Sequence, residues 1–144
     1  MLLNNNCEVF NKYILEAREL PILSMLERIK NQIMTRHYNK QQEAENFVGT
    51  VCPKIRKKFA KNVEFANICY AMPAGQGIFQ VQSKESTYIV DIVNKQYECR
   101  RWDLIGIPCS HAISCLRHER IPPEIVIPAY YSVEAFATAY ANNI

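Results

Sequence analysis

The pattern of apolar and polar positions predicts helices at both ends of the chain and a small sheet between them. Residues 6–48 carry apolar side chains at helical spacing with polar side chains between them. The clearest repeat consists of Ile22, Met25, Leu26, Ile29 and Ile33. Pro21 should kink or restart this helix, because proline lacks a backbone N–H and clashes with the preceding turn. Gly49 and Pro53 predict the end of one helix and the first residue of the next.

The second predicted helix, over residues 53–70, has two contrasting faces. Its apolar positions are Ile55, Phe59, Val63, Ala66 and Tyr70. Its basic positions are Lys54, Lys57, Lys58 and Lys61. At roughly 100° per residue the two sets lie on nearly opposite sides of a helix. We therefore expect the apolar stripe to pack inward and the four lysines to form a concentrated basic face.

Alternating patterns predict three antiparallel strands after this helix. "MPAGQG" is a cluster of turn residues, and "GIFQVQ" then alternates Phe79 and Val81 with glutamines. "STYIVDIV" places Tyr88, Val90 and Ile92 on one face, with "SKES" as the hairpin tip before it. "QYEC" should form a short third strand.

Two further helices complete the predicted α+β fold. One begins at Pro108 and runs to about Arg117, and a Pro-Pro break follows it. The other is "SVEAFATAYA", with Ser132 as N-cap and Glu134 in the first turn.

Composition limits the classes of function. The chain has 144 residues, 49% of them hydrophobic, which is enough for a packed core and argues against global disorder. Its net charge of +3 is only mildly basic, so any nucleic-acid partner must be argued from where the charges lie. The sequence contains no run of 18 apolar residues, so it predicts no membrane-spanning helix.

The six cysteines favour metal binding over a disulfide framework. "MLLNNNCEVF" has neither the cationic region nor the apolar region of a secretory signal, so we expect an intracellular protein with mostly reduced thiols. Cys7, Cys52 and Cys69 are expected to pack as small hydrophobic side chains.

The candidate metal site lies in "YECRRWDLIGIPCSHAISCL", residues 97–116. Cys109 and His111 lie at a predicted turn before a helix, where side chains two residues apart can converge and the helix N-terminus favours a thiolate. Cys99 precedes them, and thiolate and imidazole are ligands that zinc prefers in a tetrahedral site of four. The fourth position has several candidates, namely water, Cys115, Asp103 and Glu98, or the site is empty. The alternative is that both cysteines are simply core residues.

The same stretch resembles the SWIM zinc finger, whose pattern is Cys-x-Cys, a spacer and Cys-x-His. "CRRW", "GIPCSHA" and the later "YYSVEAFATAY" are similar to the variety found in plant Mutator-like transposases and their domesticated relatives in light signalling. The resemblance covers residues 52–144 and implies Zn²⁺ bound by Cys99, Cys109 and His111, and a nuclear location. Tyr97 departs from the pattern, because it stands where the family has its first cysteine.

The segment "NNNCEVFNKYILEARELPILSMLERIK", within residues 1–51, resembles the last helices of a Mutator-like transposase catalytic domain. Glu8 matches the last of that family's three metal-binding acids, and the other two would lie upstream. The resemblance thus predicts a C-terminal fragment of a transposase. One carboxylate cannot assemble a two-metal site, so we expect no catalysis by this chain alone.

Two functions compete at this point. A DNA-binding module would use Lys54, Lys57, Lys58 and Lys61 together with Arg100 and Arg101, because cationic side chains contact phosphates. A protein-interaction or assembly module with a degenerate zinc site would instead use the exposed stripe between Ile22 and Ile33. Cys109 and His111 also suggest a nucleophile and a base, but their spacing suits convergence on a metal better.

Overall fold

The computed structural model describes residues 5–84 and 86–141. The predicted α+β class is confirmed, since helices flank a four-stranded antiparallel sheet. The α-helices are α1 (Asn5–Tyr13), α2 (Ile22–Glu45), α3 (Pro53–Ala66), α4 (Arg101–Ile105), α5 (Ser110–His118) and α6 (Val133–Tyr140). The strands are β1 (Tyr70–Gly75), β2 (Ile78–Gln82), β3 (Thr87–Asp91) and β4 (Gln96–Tyr97). Short 3-10 helices cover Glu16–Glu19, Pro123–Val126 and Ala129–Tyr131.

Proline and serine begin helices where the sequence predicted them. Pro21 is the N-cap of α2, so the long helical pattern restarts there, and Pro53 is the first residue of α3. The Ser132 hydroxyl accepts a hydrogen bond from the backbone N–H of Ala135 at 3.0 Å, as expected of the N-cap of α6. Glu85 of the predicted "SKES" tip lies outside the described residues.

Two local predictions were wrong, and one short helix was not predicted. The helix predicted to run to residue 70 ends at Ala66, and Tyr70 is instead an exposed residue at the start of β1. The segment "MPAGQG" was predicted as a turn, but its first four residues belong to β1 and only its last two form the turn. The sequence carried no strand signal there because backbone pairing with β2 does not require alternating apolar and polar side chains. Pro73 is tolerated there because β1 has only one neighbouring strand. The spacer after Cys99 forms the short helix α4, for which the sequence carried no apolar repeat.

The sheet is a meander in the order β1-β2-β3-β4, with one face buried. Phe79 pairs with Val90, and Val90 pairs with Tyr97, so these three side chains share the inner face. They form one core cluster with Val81 and with Ala112 and Cys115 of α5. The alternation in β2 therefore predicted the buried face correctly.

A second core cluster lies between α3 and α5. Phe59 and Ala66 of α3 are buried against Ile113 of α5 and against Ile107, which precedes that helix. Helix α5 thus packs against the sheet on one side and against α3 on the other. The predicted apolar stripe of α3 is the buried face, apart from Tyr70.

The chain divides into two compact units, one of residues 1–46 and 137–144 and one of residues 47–136. In the first unit, the Tyr13 hydroxyl donates to the carbonyl of Gln32 at 2.8 Å, and the Gln32 amide donates to the carbonyl of Tyr13 at 3.3 Å. These bonds join α1 to α2. The domain boundary between residues 51 and 52 came from the two family resemblances described above, and it stays a prediction. Within the described residues, every helix is too short or too polar to cross a lipid bilayer.

Candidate metal centre

Cys99, Cys109 and His111 come together in the second unit. One ligand atom from each lies within 4.8 Å of the others, which is close enough for the three to bind a single metal ion. The two sulfurs are 3.4 Å apart. Among the residues that the structure describes, this is the one group of three or more His, Cys, Asp or Glu side chains with such geometry, and Glu8 does not belong to it.

Cys99 is presented by a tight turn between β4 and α4. The N–H of Arg100 donates to the carbonyl of Tyr97 at 3.0 Å, which closes the turn. Arg100 has a φ of 50°, a left-handed conformation that reverses the chain immediately before α4. A hydrogen bond from the backbone N–H of Arg101, the first residue of α4, contributes to lowering the pKa of Cys99.

Cys109 and His111 are placed by the start of α5. Cys109 is the N-cap residue, and its carbonyl accepts the N–H of Ile113 at 2.9 Å. The segment before it is buried, and the Asn62 amide of α3 donates to the carbonyl of Pro108 at 2.9 Å. These contacts hold the two ligands on one turn, as the predicted Cys-x-His geometry requires.

The imidazole of His111 is only 7% exposed, and its Nδ1 atom has no hydrogen-bond partner among the described residues. Its ring lies against the ring of Tyr88, with centroids 4.5 Å apart. A buried polar nitrogen without a partner is costly unless something binds it. Two sulfurs and such a nitrogen form a donor set that fits a metal ion of the zinc type.

The two thiols share a proton unequally. The pKa of Cys99 is lowered, mainly because the Cys109 thiol donates a hydrogen bond to its sulfur and also because His111 lies beside it. The pKa of Cys109 is raised, first because its proton is held by Cys99 and second because of burial. Because zinc binds cysteine as the thiolate, metal binding at this site would release the proton that lies between the two sulfurs.

The fourth-ligand candidates lie apart from this group. The Glu98 carboxylate accepts the backbone N–H of Ile89 at 2.7 Å and is therefore engaged with β3. Cys115 is fully buried between α5 and the sheet, and burial raises the pKa of its thiol to about 12. Asp103 is exposed on α4. None of the three belongs to the group formed by Cys99, Cys109 and His111.

Tyr97 occupies the core beside the metal ligands. It is 5% exposed, its ring stacks on Trp102 with centroids 4.4 Å apart, and its hydroxyl has no partner among the described residues. Burial is the main cause that raises the pKa of Tyr97, and the negative charge of Asp103 acts in the same direction. Tyr97, at the position where the SWIM pattern has its first cysteine, thus packs in the core of this unit.

The predicted nucleic-acid-binding residues lie on the surface of the same unit. Lys54, Lys57, Lys58 and Lys61 are all exposed on α3, opposite its buried side chains, and Arg100 and Arg101 are exposed at the start of α4. Trp102 is half-buried against Tyr97, so one of its faces is taken by the core.

The sequence did not identify Tyr88 or Asn62 as supports of the site. Tyr88 was placed on the inner face of its strand by alternation, which is the only signal that connected it to His111. Asn62 gave no signal, because its contact with Pro108 depends on the packing of α3 against the start of α5. No protein-family model, curated protein or solved structure matches the chain.

Proposed function

We propose that this chain is a zinc-binding module of the SWIM type, derived from the C-terminal part of a Mutator-like transposase, which binds DNA in the nucleus and does not catalyse a reaction alone. The convergence of Cys99, Cys109 and His111 is the observation that supports it. These three residues come from two separate segments, so their meeting is a property of the fold rather than of local spacing.

Zinc is the ion that suits this donor set. Thiolate and imidazole are its usual ligands, whereas magnesium and calcium take oxygen donors. Cys99, Cys109 and His111 would hold the ion and so join the β4–α4 turn to the start of α5. The ion would then act as a structural cross-link within a small unit.

Metal analysis of the purified chain tests the zinc assignment. We expect about one zinc ion per chain after expression without added metal, since one donor group exists in the described residues. Mass spectrometry under native conditions gives the stoichiometry, and elemental analysis identifies the ion. A chain that holds no metal, or that holds iron in preference to zinc, contradicts the assignment.

The basic face of α3 supports DNA as the partner. Lys54, Lys57, Lys58 and Lys61 repeat at positions one turn apart and are all exposed. Positive charges clustered on one helix face favour binding of a polyanion such as DNA. Contacts between lysine or arginine and phosphates supply most of the affinity of non-specific DNA binding. Arg100 and Arg101 add two exposed cations beside Cys99.

The salt dependence of DNA binding tests this partner. For duplex DNA the slope of log affinity against log salt should fall in magnitude by about 0.9 for each phosphate contact removed. We expect Lys57→Gln with Lys58→Gln, and separately Arg100→Gln with Arg101→Gln, to reduce the slope. Lys84→Gln, an exposed lysine near the β2–β3 connection, is the matched control. The absence of measurable binding at low salt would exclude DNA.

A second candidate is an assembly module, and the exposed apolar side chains of α2 favour it. Ile22, Leu23 and Leu26 lie together on the first turns of this helix and are 65%, 74% and 54% exposed. Apolar side chains that cluster on a surface mark interaction sites. Light scattering that shows dimers for the wild type and monomers for Leu23→Glu would favour this function, whereas a clean wild-type monomer argues against self-assembly.

A further inference from the structure

We infer that Cys99 and Cys109 form a reversible disulfide when no metal is bound, so that oxidation and metal binding compete for the same two sulfurs. The competition rests on the proposed zinc binding, whereas the pairing of the two cysteines stands on their geometry alone. The oxidant is a hydroperoxide, and the product is a covalent link between the β4–α4 turn and the start of α5.

The distance between the two sulfurs is the first argument. The Sγ atoms of Cys99 and Cys109 are 3.4 Å apart. A disulfide bond is about 2.05 Å long, so the sulfurs need to approach each other by about 1.4 Å. Two sulfurs bound to one tetrahedral zinc ion, with bonds of about 2.3 Å, lie about 3.8 Å apart. The observed separation lies between those of the two states, so a small displacement of the side chains reaches either one.

The positions of the other cysteines are the second argument. Among the described residues, Cys99 and Cys109 are the one pair of cysteines whose sulfurs are in contact. The sulfurs of Cys52 and Cys69 each donate to a backbone carbonyl at 3.4 Å, and Cys115 is fully buried in the core. We therefore expect oxidation of the folded chain to link Cys99 with Cys109 in preference to any other described pair.

The shared use of the two sulfurs is the third argument, and it couples oxidation to metal binding. Cysteine binds zinc as a thiolate, and a disulfide contains no thiolate. Oxidation would therefore remove two of the three donors and leave His111 alone in the group. Bound zinc has the opposite effect, because sulfurs that donate to the ion are not free to attack an oxidant.

The reaction consumes one molecule of hydrogen peroxide for each disulfide. We expect the first step at Cys99, because that residue is partly buried whereas Cys109 is 3% exposed. The Cys99 thiolate attacks one peroxide oxygen, the O–O bond breaks, and a sulfenic acid and water form after proton transfer. The Cys109 sulfur then attacks the Cys99 sulfur, the S–O bond breaks, and a second water leaves. In total the two thiols lose two protons and two electrons, which reduce the peroxide to water.

Peptide mapping of the reduced, zinc-free chain after treatment with hydrogen peroxide tests the pairing. Trypsin cleaves after Arg100 and Arg101, which lie between the two cysteines. We expect the two flanking peptides to be linked, with the loss of two hydrogen atoms, and to separate again in dithiothreitol. Fragmentation of the linked peptides should place the bond at Cys109 rather than at Cys115, which lies in the same peptide. A bond to Cys115 would overturn the pairing.

Cys109→Ser and Cys115→Ser are the matched variants, since each removes one sulfur from the same tryptic peptide. Cys109→Ser should form no link and should leave a sulfenic acid at Cys99 that dimedone traps. Cys115→Ser should form the link as the wild type does, because its sulfur is not in contact with the pair. A link that persists in Cys109→Ser, or a wild type without one, overturns the inference.

Added zinc separates this inference from the proposed function. At about one hundred times its Kd, zinc leaves about one chain in a hundred metal-free, so the link should form about one hundredfold more slowly. An unchanged rate in a chain that binds zinc overturns the competition and leaves the proposed function intact. If the chain binds no zinc, the proposed function fails, and the peptide map alone decides whether Cys99 and Cys109 pair.

Discussion

Cys99, Cys109 and His111 differ from the other cysteines and histidines of the described residues in their position. Their ligand atoms lie close together where helices α4 and α5 begin. Cys99 precedes α4, Cys109 caps α5, and His111 lies in the first turn of α5. The sequence predicted all three as candidate ligands, Cys109 and His111 from a local Cys-x-His pattern before a helix and Cys99 from its residue type and position. It did not show that Cys115, four residues further on, is a buried core residue outside the donor group.

Replacement of one cysteine at a time distinguishes ligands from core residues. Cys99→Ser should abolish bound metal, because two donors cannot hold the ion against solvent. Cys115→Ser should retain about one metal per chain, since Cys115 is outside the donor group. Cys115→Ser should instead lower the free energy of unfolding, because a more polar hydroxyl replaces a buried thiol beside Phe79 and Val81. Metal content and urea unfolding measure the two effects. Loss of metal from Cys115→Ser alone would make it the fourth ligand.

We expect the side chain at position 97 to affect both core packing and metal affinity. Removal of its stacked ring should destabilise the metal-free chain by about 2–4 kcal/mol in both Tyr97→Cys and Tyr97→Ser, because each leaves a cavity beside Trp102. Only Tyr97→Cys adds a thiolate, so it should bind zinc more tightly than Tyr97→Ser. Competition with a chromophoric chelator gives the affinities. Equal affinities in the two variants would show that position 97 does not face the metal.

At the scale of elements, the turn between β3 and β4 determines where the first ligand lies. The Asp91 carboxylate accepts hydrogen bonds from the N–H groups of Val93 and Asn94 at 2.9 and 2.8 Å, and from the Asn94 amide at 2.8 Å. Lys95 follows with a φ of 54°, which completes the reversal. Because β4 has only two residues, the conformation of this turn largely fixes the positions of Tyr97 and Cys99.

The Asp91 turn predicts a specific dependence of stability on pH. Its pKa is lowered from 3.8, mainly by the hydrogen bond from the N–H of Asn94 and then by that from the Asn94 amide. A carboxylate with a lowered folded-state pKa stabilises the fold fully above its unfolded pKa, and this contribution is lost as the pH falls through the folded pKa. Asp91→Ala should therefore be less stable than wild type at neutral pH.

The difference in stability between wild type and Asp91→Ala should shrink as the pH falls below 3.8, because the unfolded chain then binds a proton at Asp91 more readily than the folded chain does. Urea unfolding at neutral and at acidic pH measures it. Glu124→Gln, a change at an exposed carboxylate on another element, is the control and should show no such convergence. A difference that stays constant with pH would mean that the charge of Asp91 does not stabilise the turn.

At the scale of the whole molecule, the second unit has a small core that a metal ion would reinforce. Its two buried clusters meet on α5, and the donor group lies at the start of the same helix. A ligand that binds only the folded state stabilises it by mass action. An ion at this point would thus couple the sheet, the β4–α4 turn and α5 into one folding unit.

Metal removal should lower the thermal stability of the chain. Free zinc at about one hundred times its Kd should raise the free energy of unfolding by about 2.7 kcal/mol relative to the metal-free form. Calorimetry with zinc and with a chelator measures the shift in Tm. Cys99→Ser, which lacks one ligand, should show the same Tm under both conditions. A zinc-dependent shift retained in that variant would place the ion elsewhere.

The sequence by itself determined the features that depend on local chemistry. Periodicity identified the α2 and α3 helices and the inner face of β2, and residue type identified the start of α3 at Pro53 and the N-cap at Ser132. These features follow from side-chain direction and backbone hydrogen bonding within a few residues. The sequence also predicted Cys99, Cys109 and His111 as candidate ligands by type and spacing, and the structure brings these three together. Only the tertiary structure decided what depends on contacts between distant segments. Examples are the pairing that turned "MPAGQG" into an edge strand, the burial of Tyr97 on Trp102, and the meeting of Cys99 with Cys109 across ten residues. Whether a cysteine becomes a ligand or a core residue depends on which atoms surround it, and that is set by packing rather than by its neighbours in the chain.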